Sequence, residues 1–146
     1  MAQKTIGRKE KITLPELGVN LAWAKIDTGA YTSSIHAEQI RVEEVEGKKL
    51  LRFQILMEAH PKFTGVALEF KKYREKKVKN SFGQTEVRFL IETKIQLAGE
   101  TFRGEFTLTD RSSMKNAILL GRKILRERFL VDVSKTNLGK TYRHKK

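Results

Sequence analysis

The chain has no cysteine, two prolines and a single tryptophan in 146 residues. Without thiols it can form neither a disulfide nor a thiolate-held metal centre. No apolar run reaches the length of a membrane span or of a signal-peptide core, so a soluble, cytoplasmic protein is the expectation. Aspartate is scarce as well: Asp27, Asp110 and Asp132 are the whole supply. Histidine stands only at His36, His60 and His144, far apart in sequence, with no His-Glu-x-x-His helix and no Gly-x-x-x-x-Gly-Lys-Ser/Thr loop. No metal and no nucleotide or other cofactor is therefore expected. His36, close to Asp27, reads as a structural hydrogen-bonding group and not as a zinc ligand.

What the chain has in excess is positive charge. Thirty Lys and Arg against 17 Asp and Glu leave a net charge of +13, which implies attraction to polyanions but does not choose among nucleic acid, the ribosome and an acidic peptide. With 39% apolar residues the composition is that of a folded domain. We expect one domain over 1–133 and a mobile basic tail over 134–146.

Patterning is mostly of period two. Lys4 to Leu14 reads as one charged, edge-like strand, and Pro15-Glu16-Leu17-Gly18 as a turn. Leu21 to Ile26 reads as a strand, with a brief helical turn or strand start at Ser34 to Ala37. Gln39 to Val45 and Leu50 to Met57 form a hairpin about Glu46-Gly47-Lys48-Lys49, and Val87 to Leu97 and Thr101 to Leu108 form another about Ala98-Gly99-Glu100. Between them, residues 58–84 lose the pattern, carry the basic run from Lys71 to Lys79, and are the place for a substrate-covering loop. Ala117 to Leu120 reads as a buried strand, Lys123 to Phe129 as a short amphipathic helix, and Leu130 to Val133 as a last strand. Trp23 and the phenylalanines read as core. The sum is a mostly β fold, a small closed barrel or sandwich with one short C-terminal helix.

One stretch can carry chemistry. The strand ending at Ile26 runs into Asp27-Thr28-Gly29-Ala30, a tight small-residue turn that presents a carboxylate rigidly. This turn resembles the active-site turn of retropepsin-type aspartic proteases, and Leu119-Leu120-Gly121-Arg122 resembles the segment that closes their fold. Nearly the whole chain is similar to the small bacterial and archaeal retropepsin-like family usually labelled ATP-dependent zinc protease. The supporting pieces are Ile6-Gly7-Arg8, Leu14 to Gly18, Ser34 to Ala37, Val78 to Gly83 and Thr107 to Arg111.

The resemblance implies the acid-protease barrel and an aspartic endopeptidase. Peptide hydrolysis by aspartates needs two carboxylates sharing a proton. Neither Asp110 nor Asp132 lies in a second such turn, so a homodimer would bring Asp27 to its own copy. By the same resemblance Thr28 hydrogen-bonds across the dimer axis, Gly29 contacts substrate through its backbone, and Ala30 lines the adjacent pocket. Gly65 and Gly83 are the glycines available to a flap, here long and basic. The family is also associated with a ligase that adds glutamates to a ribosomal protein. An acidic or ribosomal peptide is then the expected substrate, guided by Lys71, Lys72, Arg74 and their neighbours, unless that run is only a solvated loop.

Arg111, Arg122 and Asp132 read as structural, with a clamp for a substrate carboxylate as the alternative. Glu86 reads as an edge-strand charge. A catalytically silent module for an anionic partner, and an RNA or ribosome binder using Phe70 and Tyr73 among lysines, remain open alternatives.

Overall fold

The computed structural model describes residues 3–79 and 82–143. Asn80 and Ser81, within one of the resemblance segments, and His144 lie outside the described residues. Two short strands open the chain, β1 (Lys4–Ile6) and β2 (Lys9–Leu14). The single strand expected over this stretch is broken at Gly7, where a Cβ would stand 2.3 Å from the Lys135 carbonyl oxygen, so only glycine lets the chains pass. A turn of 3-10 helix at Pro15–Leu17 leads into β3 (Val19–Ile26), and then come β4 (Ser33–Val45) and β5 (Lys48–Ile55). Next are β6 (Leu68–Phe70), β7 (Arg74–Lys79), β8 (Thr85–Leu97) and β9 (Glu100–Thr109). The chain ends with β10 (Ile118–Leu120), α1 (Arg122–Leu125), β11 (Phe129–Val131) and α2 (Lys140–Arg143).

The main sheet closes into a ring. β10 pairs with β3, β3 with β2, β2 with β8, β8 with β9, β9 with β4, and β4 returns to β10. β2 is thus an interior strand and not an edge. Alternation decides which side chains fill the ring: Ile12 and Leu14 on β2, Ala22, Ala24 and Ile26 on β3, and Phe106 and Leu108 on β9 are buried. β5 and β6 continue from the outer half of β4, and β7 pairs antiparallel with the first half of β8. The region 58–84, expected as a loop, therefore contains two strands, and β7 with β8 makes a long hairpin whose tip holds Gly83.

The C-terminal elements differ from those expected. The helix expected over Lys123 to Phe129 spans only Arg122–Leu125, and Phe129 begins β11, which runs parallel to β1. The segment after residue 133 packs back on β2. Asn137 N donates to the Lys9 carbonyl, and Leu138 N and Gly139 N donate to the carboxylate of Glu10 at 2.8 Å each. Glu10 is fully buried on β2 and also accepts from Gly7 N at 2.8 Å. Trp23, expected in the core, is 40% exposed on the outer face of β3.

Candidate active site

β3 ends at Ile26 and hands the chain to Asp27, whose N–H donates to the Leu120 carbonyl of β10 at 2.9 Å. β10 is inserted between the two strands that flank the turn, parallel to β3 and antiparallel to the start of β4. Within the turn Gly29 N donates to Asp27 Oδ1 at 2.9 Å, and Ala30 N to the Asp27 carbonyl at 3.3 Å. One carboxylate oxygen is thereby oriented by the backbone. The other lies 3.9 Å from Lys25 Nζ, and the side chain keeps 27% of its surface open to solvent. Thr28 and Gly29 are exposed and Ala30 is half-buried.

The Gly121-Arg122 segment grips this turn from the other side. Ser33 Oγ accepts from Gly121 N at 2.9 Å, and the Ala30 and Tyr31 carbonyls accept from Arg122 N and Lys123 N at 2.8 and 3.0 Å. A Cβ on Gly121 would fall 2.7 Å from the Tyr31 oxygen and 2.8 Å from that of Ala30. Arg122 Nη1 donates to the Thr28 carbonyl at 3.1 Å, and the guanidiniums of Arg122 and Arg126 each lie 5.7 Å from the centre of the Tyr31 ring. Arg122 thus binds main chain, one of the structural roles expected for it.

Arg111 is the second cation that senses Asp27. Its side chain donates to the Asn116 carbonyl at 2.9 Å and to Ser34 Oγ at 3.1 Å. Burial pushes its guanidinium below the usual arginine value, the Asp27 charge pulls it back, and Arg88 pushes it down again. Arg111 N donates to His36 Nδ1 at 2.8 Å, while His36 Nε2 lies 2.7 Å from Glu38 Oε2. The accepting Nδ1 places the ring proton on Nε2, directed at Glu38. Both nitrogens of this buried ring are engaged, and no group of three or more His, Cys, Asp or Glu able to hold a metal occurs among the described residues.

The expected site residues are only partly brought together. Asp27, Thr28, Gly29 and Ala30 form the turn. Arg74 lines a cavity of about 270 Å³ with Tyr31, Thr32, Lys76 and Glu105, immediately after that turn. Lys71 and Lys72 line a neighbouring cavity of about 310 Å³ that shares Arg74. Gly83 is exposed at the hairpin tip, beyond the far end of β7 from these residues. Phe70 and Tyr73, the aromatics of the RNA-binding alternative, are partly buried against the core, with ring centres 5.6 Å from Phe53 and 5.8 Å from Phe89 respectively. Glu86 forms an ion pair with Arg88. Asp132 accepts from Ser134 N and Oγ, which together hold its carboxyl below the usual range.

Sequence reasoning named Lys76 only as part of the Lys71 to Lys79 run, and singled out neither Lys25 nor Arg88, whose charge acts on Arg111. Lys25 was legible in principle, since residues two apart on a strand share a face. Lys76, whose ammonium donates to Thr32 Oγ1 at 2.7 Å, and Arg88 arrive through strand pairing that no local pattern encodes.

Residues 5–141 match the family described as RimB-like, retropepsin-like aspartic endopeptidase RimB. A protein of Desulfotalea psychrophila named "Probable alpha-L-glutamate ligase" is 34% identical, over 97% of this chain and 32% of that protein. A protein of the same name from Shewanella pealeana is 37% identical, over 90% of this chain and 29% of its own length. The chain thus spans about a third of the curated relatives it matches. A crystal structure of a Legionella pneumophila protein of unknown function superposes with a TM-score of 0.71 at 29% identity, covering 94% of this chain and 99% of that one.

Proposed function

Starting from a chain that belongs to the RimB-like family of retropepsin-like aspartic endopeptidases, we propose that it hydrolyses peptide bonds with an Asp27 dyad assembled from two copies. The observation that carries this reading is the Asp27 carboxylate, oriented by Gly29 N at the end of β3 and still open to solvent. One carboxylate cannot be base and acid at once. Asp110 is tied to Ser112 and Asp132 to Ser134, each in its own local turn, so the second aspartate of a dyad is the Asp27 of another copy. In the dimer one Asp27 takes a proton from water as it attacks the scissile carbonyl. The other, protonated, donates to the carbonyl oxygen, and the amine leaves with a proton from the pair. The exposed face of Thr28 is where the two turns meet.

Charge supports an acidic peptide as substrate. Lys25 lies beside the Asp27 carboxylate, Lys76 reaches Thr32 just after the turn, and the Arg111 guanidinium feels the Asp27 charge; cations so placed, in a chain of net charge +13, attract ligands of the other sign. Relatives named for glutamate ligation carry a region like this chain, and a peptidase working beside glutamate addition would meet glutamate-rich or ribosomal chain ends.

The test is mass-spectrometric detection of cleavage of a peptide mixture that includes glutamate-tailed peptides, by wild type and Asp27→Asn, across pH. Wild type is expected to cleave and the variant to lose activity by on the order of 10³ or more, with the dimer intact by sedimentation. The pH profile should report the coupled pair and not one residue. Cleavage retained by the variant would refute the mechanism. Absence of cleavage by either folded dimer would favour a binding module on the same scaffold.

A further inference from the structure

The outer face of β2 and β3 carries a feature that peptide hydrolysis does not use. Trp23, the only tryptophan of the chain, stands 40% exposed there. The ammonium groups of Lys9 and Lys11 lie 5.3 and 5.2 Å from the centre of its ring. In the strand register Lys11 is opposite Trp23, and Lys9 is opposite Lys25. A groove of about 330 Å³ runs beside the indole, bordered by Lys11, Leu21, His60, Pro61 and Lys62.

Two physical points make this more than a solvated face. Like charges directly opposed across a strand pair destabilise it. Lys25, opposite Lys9, has the Asp27 carboxylate 3.9 Å away, whereas Lys9, Lys11 and Lys62 make no ion pair with a carboxylate among the described residues, so these three ammonium groups are left for a bound anion to compensate. An exposed indole among uncompensated cations also offers what single-stranded nucleic acid needs, a π-face for a base and ammonium groups for its phosphates. An acidic peptide would meet the lysines but leave the indole without a ring to stack on. Elsewhere, Phe70 and Tyr73 are spent on packing, which leaves the lysine run around them without a stacking platform.

We propose that the Trp23 face binds single-stranded nucleic acid, with a base stacked on the indole and the backbone phosphates held by Lys9, Lys11, Lys25 and Lys62. The proposal uses no step of the peptidase chemistry and holds whether or not Asp27 cleaves. Because Lys25 also lies beside Asp27, the two sites adjoin.

The probe is a fluorescein-labelled, short single-stranded adenylate oligomer, as RNA and as DNA, followed by anisotropy at near-physiological salt with the full chain. Wild type should bind saturably, and the emission of its sole tryptophan should be quenched over the same concentration range. Trp23→Ala should weaken binding by about tenfold or more, and Trp23→Phe should retain most of it. Lys9→Gln combined with Lys11→Gln should weaken binding and flatten the logarithmic salt dependence by about 1.4. Lys48→Gln with Lys49→Gln, on the remote β4–β5 turn, should change neither stacking nor quenching. Stronger binding of the RNA than of the DNA probe would identify RNA as the ligand, and equal binding would establish a general single-strand site. Three results would overturn the proposal: no saturable binding, binding unaffected by Trp23→Ala, or equal quenching and competition by oligoglutamate, which would make the face a peptide site.

Discussion

The Arg122 guanidinium donates to the carbonyl of Thr28 across 94 positions of sequence. The residue after the candidate catalytic aspartate is therefore held by a segment that reaches it only through the closing strand β10. The turn's geometry is consequently a property of two distant stretches acting together, and it should be sensitive to changes in either.

Gly121→Ala tests this most directly. The added Cβ would press on the carbonyl oxygens of Tyr31 and Ala30, both main-chain atoms that cannot swing aside. We expect a loss of about 2 kcal/mol in urea unfolding together with a fall in peptide cleavage. Gly47→Ala is the control. Its Cβ would meet nothing within 4 Å although φ is +72 to +77 at such turns, here +77, so it should cost about 1 kcal/mol and leave cleavage unchanged.

Glu10 should prove one of the most important polar residues for stability. Its carboxylate accepts three backbone N–H groups, from Gly7, Leu138 and Gly139, each at 2.8 Å, at a fully buried position. Glu10→Ala leaves those donors unpaired and should cost about 3 kcal/mol or more. Hydrogen exchange should accelerate at Leu138 and Gly139 well before the ring strands open. Unchanged protection there would show that α2 is held by other contacts.

Glu105 predicts a pH dependence. Burial pushes its carboxyl up, but Lys123 and Arg74 outweigh burial and leave it below its ordinary value of 4.5. Because the folded-state value is the lower one, the stabilisation is present above pH 4.5 and is lost as pH falls through the lowered value. Glu105→Gln should therefore cost about 0.5–1 kcal/mol near neutral pH, as expected for a largely solvent-screened cluster. The difference from wild type should be smaller at an acid pH, below the lowered carboxyl value, than at neutral pH. Denaturant melts at the two pH values check both the size and the sign.

The two hairpins about Gly47 and Gly99, the strand before Asp27 and the buried strand before Gly121 were all legible, because alternation and turn residues are local signals. That the Gly121 segment closes the fold was legible through resemblance, but its grip on the Asp27 turn was not. The edge assignment of β2 failed because its lysines point outward from a strand whose other face is wholly buried, and charge on one face does not report what pairs at the strand's sides. β7 was hidden because its basic residues mask the alternation. Trp23 was misplaced because an indole between alanines reads as core, while the strand's phase turns it outward.

By itself the sequence determined the class of fold, the one aspartate in a rigid turn, and the cationic excess, since each rests on residue type and short spacing. Only the tertiary structure decided which cations surround Asp27, that Glu10 fastens the C-terminal segment, and that Trp23 faces solvent among lysines. Those are consequences of strand register and ring closure, and contacts made across tens of residues are set by the global packing of the core, which no local pattern specifies.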